Sequence, residues 1–440
     1  MHKIFFVNRS ILKLAIPNII SNITIPLLGL VDMILMGHLS SHIYIGATTL
    51  GATIFSVLYS FFSFLRAGTT GFTAQSYGAN DTTEISYSLY RSIFIAIIAS
   101  LLILCIQNPI AKLSIIILGG DDLINLTITY FFVRIWAAPA NMLLYCLNGW
   151  FIGMHNTKIP MIIAIIINVL NIAFSIFFVI VMKQDVVGVA LGTVIAQYCG
   201  LITAIIFLFS KYKNYLIKID LDKLLNINKI KRFFKVNTDL MIRSILLVIT
   251  IAFFNSQSKK LGYEVLTINS ILLQLFYIFS YFTDGFAYAG EALVGKYIGA
   301  KDSKSLRSVV KHLFKWGAII SVPFAILYAV FPDTFVIMIS DDSLILEEIQ
   351  AYYIYMVLIP VITFAAFIWD GIYIGATASK AIRNTMIISS IVVFLPLWYF
   401  LMPVYGNHGL WIAFLGFMLA RGISMTFFAK KSIFQITNNQ

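Results

Sequence analysis

The amino-acid sequence predicts an all-α membrane protein that crosses the bilayer many times. Of its 440 residues, 60% are hydrophobic and only 11% are charged, whereas soluble domains carry about 25% charged residues. The apolar runs reach the ~20 residues that a helix needs to cross the hydrocarbon core, and they are too long for the strands of a membrane β-barrel. Composition and run length therefore point to a polytopic helical fold.

Twelve apolar runs are predicted to be membrane-spanning helices. A basic segment with Lys3, Arg9 and Lys13 precedes the first run and resembles the start of a signal peptide. We keep that run as a helix because it is longer than a signal-peptide core and has no clear cleavage site. The approximate limits are 11–36, 44–75, 88–110, 124–153, 159–182, 187–209, 237–258, 265–298, 310–332, 347–375, 382–403 and 408–429.

Lysine and arginine residues predict the orientation in the membrane. Eight of them lie between Lys211 and Lys235, which connects the sixth and seventh runs, and other basic connectors follow even-numbered runs. Cytoplasmic connectors carry such an excess, so we expect both termini and this linker to be cytoplasmic in a plasma (inner) membrane. The linker is either an interfacial amphipathic helix or a solvated connector. The net charge of +12 thus reflects topology, and we expect no nucleic-acid partner.

The two halves of the chain repeat. Tyr77–Asp81 resembles Ile298–Asp302 at an offset of 221 residues, and Asn148–Gly153 resembles Asp370–Gly375 at an offset of 222. Each half has an even number of spans, so the repeats are parallel, as in transporters that alternate access to a cavity between two lobes. The sequence therefore predicts an N-lobe, a linker and a C-lobe. Their predicted limits are 1–209, 210–236 and 237–440.

Polar side chains in the N-terminal spans form the first candidate site. Asp32 lies in the first run, where an unpaired charge costs several kcal/mol, so it is either functional or a helix-end cap beside Gly37. Asn171 and Ser175 share a face of the fifth span, and Thr193 lies in the sixth. Together with Asp32 they either hold a proton or a small cation through oxygen atoms, or only bond helices together, at about 0.6 kcal/mol per contact.

Charged residues in the C-terminal spans form the second candidate site. Asp239 and Arg243 are four residues apart in the seventh span, and we expect them to neutralise each other. Asp284 lies in the eighth span without a nearby partner in sequence. Asp370 in the tenth span has Asn148 as its uncharged repeat mate. These residues, including Asn148, are candidates for a substrate site or a second ion site.

Several classes of function are disfavoured by the motifs that the sequence lacks. It has no GxxxxGK[ST] phosphate-binding loop, so any active transport would draw on an ion gradient. Cys105, Cys146 and Cys199 lie in apolar runs without metal-site spacing, and we do not expect His38 and His42 to bind a metal. No nucleophile or metal motif suggests an enzyme. We therefore expect no cofactor and no metal site.

Longer stretches in both halves form a recognisable set of motifs. They are Pro26–Asp32 with Gly37–Leu39, Phe64–Gln75, Arg134–Pro139, Asp284–Ala289 and Trp369–Gly371. These stretches resemble the multidrug and toxic compound extrusion (MATE) transporters, in the branch named for DNA-damage-inducible protein F. The resemblance covers nearly the whole chain, and the stretches together are quite specific.

The resemblance implies a twelve-helix antiporter with two six-helix lobes, which exports drugs in exchange for H⁺ or Na⁺. The coupling acid on helix one of the family maps to Asp32, its helix-five asparagine to Asn171 and its helix-six threonine to Thr193. Many relatives carry a second acid where this chain has Ser175. The missing charge favours H⁺ over Na⁺, with Asp32 as the coupling residue.

The intramembrane acidic residues are at least as numerous as the intramembrane basic residues, so we expect cationic or zwitterionic amphipathic substrates. We also expect a monomer in the bilayer. The alternative is a lipid-linked oligosaccharide flippase of the same superfamily. That function predicts a strongly cationic central cavity for the pyrophosphate group.

Overall fold

The computed structural model describes residues 2–37, 43–118, 123–224, 226–339 and 342–435. Within these ranges, the side chains of residues 2–6, 25–28, 30–37 and 117–118 are outside the description. The regular elements of the described part are all helical, which confirms the predicted fold class. The α-helices are α1 His2–Gly37, α2 Ile43–Phe62, α3 Phe64–Gly78, α4 Thr82–Cys105, α5 Gln107–Leu118, α6 Leu123–Arg134, α7 Ala138–Gly153, α8 Lys158–Ile176, α9 Asp185–Tyr212, α10 Leu221–Leu224, α11 Ile227–Leu261, α12 Tyr263–Gly299, α13 Ser303–Val330, α14 Pro332–Ile337, α15 Ser343–Glu348, α16 Tyr353–Gly375, α17 Ser379–Ile387, α18 Leu395–Tyr405 and α19 Asn407–Ala429.

Eleven helical stretches in the described part of the chain are long and apolar enough to cross a membrane. They coincide with the second to twelfth predicted spans, and the first predicted span lies within the 36-residue helix α1. Several spans are assembled from two helices. The second joins α2 to α3 at Ser63, and the fourth joins α6 to α7 through a 3₁₀ turn at Ile135–Ala137, just before Pro139. The fifth and eleventh contain π-helical segments at Phe177–Val181 and Ile388–Phe394.

The chain divides into two compact units. One contains residues 20–73 and 81–232, and the other contains residues 1–19, 74–80 and 233–440. The start of α1 and the end of α3 therefore pack with the second half of the chain, a feature that a sequence repeat does not reveal. The lobe limits at 209 and 237 stay a prediction.

Close helix crossings recur at equivalent positions of the two halves. A Cβ atom on Gly149 would lie 2.4 Å from the carbonyl oxygen of Arg66, and one on Gly371 would lie 2.0 Å from that of Ala287. Arg66 and Ala287 are 221 residues apart, and the two glycines are 222 apart. Only glycine permits such an approach of one helix to the backbone of another. The repeat therefore preserves individual backbone contacts as well as the order of the helices.

The turns that follow α3 and α12 also match. Asn80 and Lys301 both adopt a left-handed conformation, with φ of 55° and 54°. The next residue caps the following helix in each case, because Asp81 accepts a hydrogen bond from the Glu84 amide and Asp302 accepts one from the Ser305 amide, both over 2.9 Å. A side-chain acceptor at this position satisfies one of the free amides of the first helical turn.

The ends of α3 and α12 cross each other within the second unit through a reciprocal contact. A Cβ atom on Gly78 would lie 1.9 Å from the carbonyl oxygen of Lys296, and one on Gly299 would lie 1.9 Å from that of Gln75. Gln75 and Lys296 are repeat mates, as are Gly78 and Gly299, at an offset of 221. The two halves of the chain thus contribute equivalent positions, each with one glycine, to this crossing.

The linker between the sixth and seventh spans does not form one amphipathic helix. After α9 ends at Tyr212, the chain makes a 3₁₀ turn at Lys213–Tyr215, has the four-residue helix α10, and enters α11 at Ile227. α11 begins ten residues before the predicted span at 237. The additional residues at the start of α11 are the basic residues of the linker. Hydropathy did not assign them to the span because they are polar.

The linker is docked on α4 rather than free in solvent. The Tyr90 hydroxyl donates to the carbonyl of Ile217 over 2.8 Å, and the Tyr87 hydroxyl accepts from the Asp220 amide over 3.0 Å. Arg91 donates to the Lys223 carbonyl over 3.1 Å and to Glu84 over 3.0 Å, and Glu84 also binds Lys229. Arg91 is buried, so both expectations for the linker were incomplete.

Candidate functional site

The N-terminal candidate residues meet between α8 and α9. Asn171 donates to the Thr193 hydroxyl over 2.9 Å, and Ser175 donates to the Asn171 carbonyl oxygen over 3.3 Å. Thr193 donates in turn to the carbonyl of Val189 over 3.0 Å. All three polar side chains are buried. The structure therefore brings Asn171, Ser175 and Thr193 together, as predicted from their positions in the spans.

The two helices approach closely because α9 has a glycine opposite Ser175. A Cβ atom on Gly192 would lie 2.8 Å from both the amide nitrogen and the hydroxyl of Ser175. The resulting polar group is electrically neutral, and its hydrogen bonds run in one direction from Ser175 to Val189. Among the described residues, one N–H of the Asn171 amide and several lone pairs of this group have no partner and remain available.

The side chain of Asp32 is not described, so its contacts stay a prediction. His38 and His42 lie outside the described residues altogether. The backbone of Asp32 belongs to α1. Two helical turns earlier, the Thr24 carbonyl accepts a hydrogen bond from Asn168 over 3.3 Å. α1 therefore lies beside α8, the helix that carries Asn171 and Ser175.

The expected pairing of Asp239 with Arg243 is wrong. Asp239 on α11 instead accepts hydrogen bonds from Arg383 over 2.6 Å and from Ser379 over 2.8 Å, both on α17. Its side chain is only 3% exposed, whereas that of Arg383 is 27% exposed. A spacing of four residues permits a contact along one helix. The neighbouring helix α17 instead offers Asp239 two partners, which together bind both of its carboxylate oxygens.

Arg243 belongs to a different cluster, which joins α11, α16 and α19. Arg243 and Arg421 both donate to the same oxygen of Asp370, Oδ2, and the Arg421 contact spans 2.7 Å. Arg421 also donates to the sulfur of Met418 over 3.1 Å. We call these three residues, Arg243, Asp370 and Arg421, the Arg–Asp–Arg cluster.

The other candidates lie on different helices of the two halves. Asp284 is half-buried on α12. Asn148 is half-buried on α7, and its buried side-chain oxygen has no hydrogen-bond partner among the described residues. Asp239 lies in the separate pair with Arg383. The predicted C-terminal residues thus do not form one site.

Sequence reasoning missed Arg421, which holds Asp370 in place. Its signal is visible in the sequence as a single arginine deep in the apolar run of the last span. An intramembrane cation requires a partner, so Arg421 by itself predicts a nearby acid. Which acid it pairs with depends on how α16 and α19 pack.

A family model, MatE, matches this chain twice, over residues 17–177 and 239–400. The second match begins 222 residues after the first (239 minus 17), which agrees with the offset of the repeat. The two matches include seven of the eight candidate residues in one range or the other, and Thr193 lies between them. The family relationship therefore extends through both halves.

Two named relatives extend over most of the chain. DNA damage-inducible protein F of Escherichia coli K12 is 33% identical over 419 residues, which cover 95% of this chain and 91% of the relative. A probable multidrug resistance protein, NorM of Photorhabdus laumondii, is 25% identical over 346 residues, or 76% of this chain and 74% of the relative.

Solved structures share the fold at low sequence identity. A MATE protein in a bent conformation superposes with a TM-score of 0.88 at 18% identity, covering 98% of this chain and 97% of that one. An outward-facing multidrug resistance MATE transporter also gives a TM-score of 0.88 at 18% identity, with coverages of 97% and 96%. At this identity, the likeness establishes the fold of the membrane domain.

Proposed function

Because this chain belongs to the MATE family of membrane transporters, we propose that it is a secondary antiporter that exports cationic or zwitterionic amphipathic compounds. The observation that carries the proposal is the pair of family matches at residues 17–177 and 239–400. Relatives are named as a multidrug resistance protein and as multidrug export proteins. Export by alternating access fits a chain built from two parallel repeats.

The exchanged ion in this proposal is H⁺, and Asp32 carries it. The neutral group of Asn171, Ser175 and Thr193 supports H⁺ over Na⁺, because its described contacts include no second carboxylate to balance a bound metal ion. A buried cation needs compensating charge, whereas a proton on a carboxylate neutralises it. Protonation of Asp32 would be the event that couples ion entry to the change of access.

The proposal also includes a plasma-membrane location, cytoplasmic termini and a monomeric transporter. The basic linker docked on α4 supports a cytoplasmic position for that end of the helix, because cationic connectors are retained on this side. A monomer is sufficient because one chain contains both repeats.

The flippase alternative finds less support. It requires a strongly cationic surface to hold a pyrophosphate, but the described arginines of the C-terminal candidates are accompanied by acids. Arg383 pairs with Asp239, while Arg243 and Arg421 share Asp370.

Transport by purified protein in liposomes tests the proposal. A fluorescent amphipathic cation is loaded inside, and its efflux is followed while a pH gradient or a Na⁺ gradient is imposed separately. We expect the inward H⁺ gradient alone to accelerate efflux. Acceleration by Na⁺ without any response to the pH gradient would overturn H⁺ coupling, and efflux that responds to neither gradient would contradict secondary antiport.

A further inference from the structure

We infer that the Arg–Asp–Arg cluster binds the carboxylate of a zwitterionic substrate, an inference that rests on the proposed export function. Both guanidinium groups share one oxygen of Asp370, Oδ2. The other oxygen, Oδ1, is buried and has no hydrogen-bond partner among the described residues. The buried Nε atoms of Arg243 and Arg421 also have no hydrogen-bond partner among the described residues. The cluster thus has two positive charges, one negative charge and unused donors.

A second ion pair in the same unit shows how a buried carboxylate is paired completely. Asp239 uses Oδ1 to bind Arg383 and Oδ2 to bind Ser379, so one carboxylate meets one guanidinium and both oxygens are bonded. Buried charges are retained at low free-energy cost only with such complete pairing. The Arg–Asp–Arg cluster lacks it, because two arginines compete for a single oxygen of Asp370.

The repeat indicates that the helix packing does not require these charges. At the corresponding positions of the first half, Asp370 is replaced by Asn148 and Arg421 by Gly200, at offsets of 222 and 221. Arg243 corresponds to Ser21 or Asn22, depending on which offset is used. The first half therefore has uncharged residues at the positions equivalent to all three members of the cluster. The cluster is a feature of the second half alone, which favours a role in binding.

Exposure is graded across the cluster, and this grading suggests the order of contact. The side chains of Arg421, Asp370 and Arg243 are 1%, 10% and 15% exposed, respectively. An incoming anion therefore reaches Arg243 first, while Arg421 adds its charge from behind. A guanidinium presents parallel N–H groups that match the two oxygens of a carboxylate. A carboxylate is accordingly the group that this cluster recognises.

The proposed export function limits the carboxylate-bearing substrate to a zwitterion. That function expects cationic or zwitterionic amphipathic compounds, and of these only a zwitterion has a carboxylate to offer. Hydrogen bonds between a guanidinium and a carboxylate are strong because donor and acceptor are both charged.

Equilibrium binding of two matched dyes tests the inference independently of transport. The probes are a rhodamine with a free carboxylate and its methyl ester, which differ only in that negative charge. Binding to purified protein in nanodiscs is measured by fluorescence anisotropy. For Arg243→Gln we expect the Kd of the carboxylate dye to rise at least about tenfold, the effect of 1.4 kcal/mol, while the Kd of the ester stays unchanged.

Further variants separate recognition from folding. Arg243→Lys keeps the charge but loses the planar fork, so we expect a smaller rise in Kd for the carboxylate dye alone. Arg307→Gln removes an exposed arginine of the same unit and should change neither Kd. Equal weakening of both dyes by Arg243→Gln, no change for either dye, or no binding of the carboxylate dye to the wild type would overturn the inference. Efflux driven by neither ion gradient would instead contradict only the proposed antiport, because binding is measured without a gradient.

Discussion

Asn171 on α8 donates a hydrogen bond to the hydroxyl of Thr193 on α9 over 2.9 Å, and both side chains are buried. This bond joins the fifth and sixth spans at the place where our proposal puts the coupling ion. Ser175, one turn along α8, completes a group without charge. In the proposed mechanism, the ionisable group that acts with these three neutral side chains is Asp32 of α1.

Replacement of Ser175 by aspartate is predicted to introduce a Na⁺ response. The new carboxylate would be buried one helical turn from Asn171, and a buried charge without compensation is strongly unfavourable, so a cation would stabilise it. We expect Na⁺-driven efflux from liposomes to rise about tenfold, as for 1.4 kcal/mol of added cation binding. Ser175→Asn has the same size without the charge and is the control. The same ion dependence in both variants would refute the prediction.

The crossing of α3 and α12 is predicted to tolerate no side chain larger than hydrogen. Gly78→Ala and Gly299→Ala each place a Cβ atom 1.9 Å from a backbone oxygen, so each should lower stability by about 1–3 kcal/mol. The double variant should lose less stability than the sum of the two single losses, because both substitutions force apart the same pair of helices. Thermal unfolding in detergent measures these effects.

Gly290→Ala is the matched control for this crossing, because its nearest atom is the flexible end of Leu313 at 3.3 Å. An unchanged melting temperature for both Gly78→Ala and Gly299→Ala would show that the reciprocal contact is not tight.

The Asp239–Arg383 pair is predicted to respond asymmetrically to its two partners. Arg383→Gln leaves a carboxylate that is 3% exposed with only Ser379 as a partner, so we expect a loss of about 3 kcal/mol. Asp239→Asn leaves Arg383, which is 27% exposed and reaches water, so the loss should be smaller.

Thermal unfolding of the two single variants and the double variant measures this coupling. The double variant should resemble Asp239→Asn, because it no longer buries an unpaired charge. Strictly additive losses would instead indicate that Asp239 and Arg383 do not stabilise each other.

Release of the linker from α4 is predicted to expose it to trypsin. Arg91→Ala removes hydrogen bonds from a charged donor to Glu84 and to the Lys223 carbonyl, and such bonds contribute about 1.5–3 kcal/mol each. Cleavage after Lys218 and Lys223 should therefore become at least about tenfold faster, as the open population grows. Asp222→Asn changes an exposed linker side chain and should leave the rate unchanged. Equal cleavage rates in wild type and Arg91→Ala would contradict docking.

The helical fold could be predicted from the sequence because apolar runs in a bilayer have few structural options. The repeat could also be recognised in the sequence, since Gly78 and its neighbours have counterparts in Gly299 and its neighbours at a fixed offset. The pairing of the buried charges could not be predicted from the sequence. Asp239 meets Arg383 and Asp370 meets Arg421, and both pairs depend on which helices pack together. A single sequence records contacts along one helix but not between distant helices.

The linker illustrates the same limit. Its basic residues predicted a cytoplasmic segment, but Tyr87, Tyr90 and Arg91 hold it through bonds to backbone atoms of the linker. Such bonds leave no pattern in the linker's own side chains. The contacts among Asn171, Ser175 and Thr193 were easier to predict, because Asn171 and Ser175 share a helix face and Thr193 lies in the next span.

Proton movement that accompanies substrate export is the direct measure of H⁺ coupling through Asp32. A pH-sensitive dye reports H⁺ flux in liposomes when an outward substrate gradient is imposed without any initial pH gradient. Wild-type protein and Asp222→Asn, which changes an exposed acid, are expected to move H⁺ against the substrate. Asp32→Asn is expected to abolish this flux. Normal H⁺ flux in Asp32→Asn would contradict coupling through Asp32.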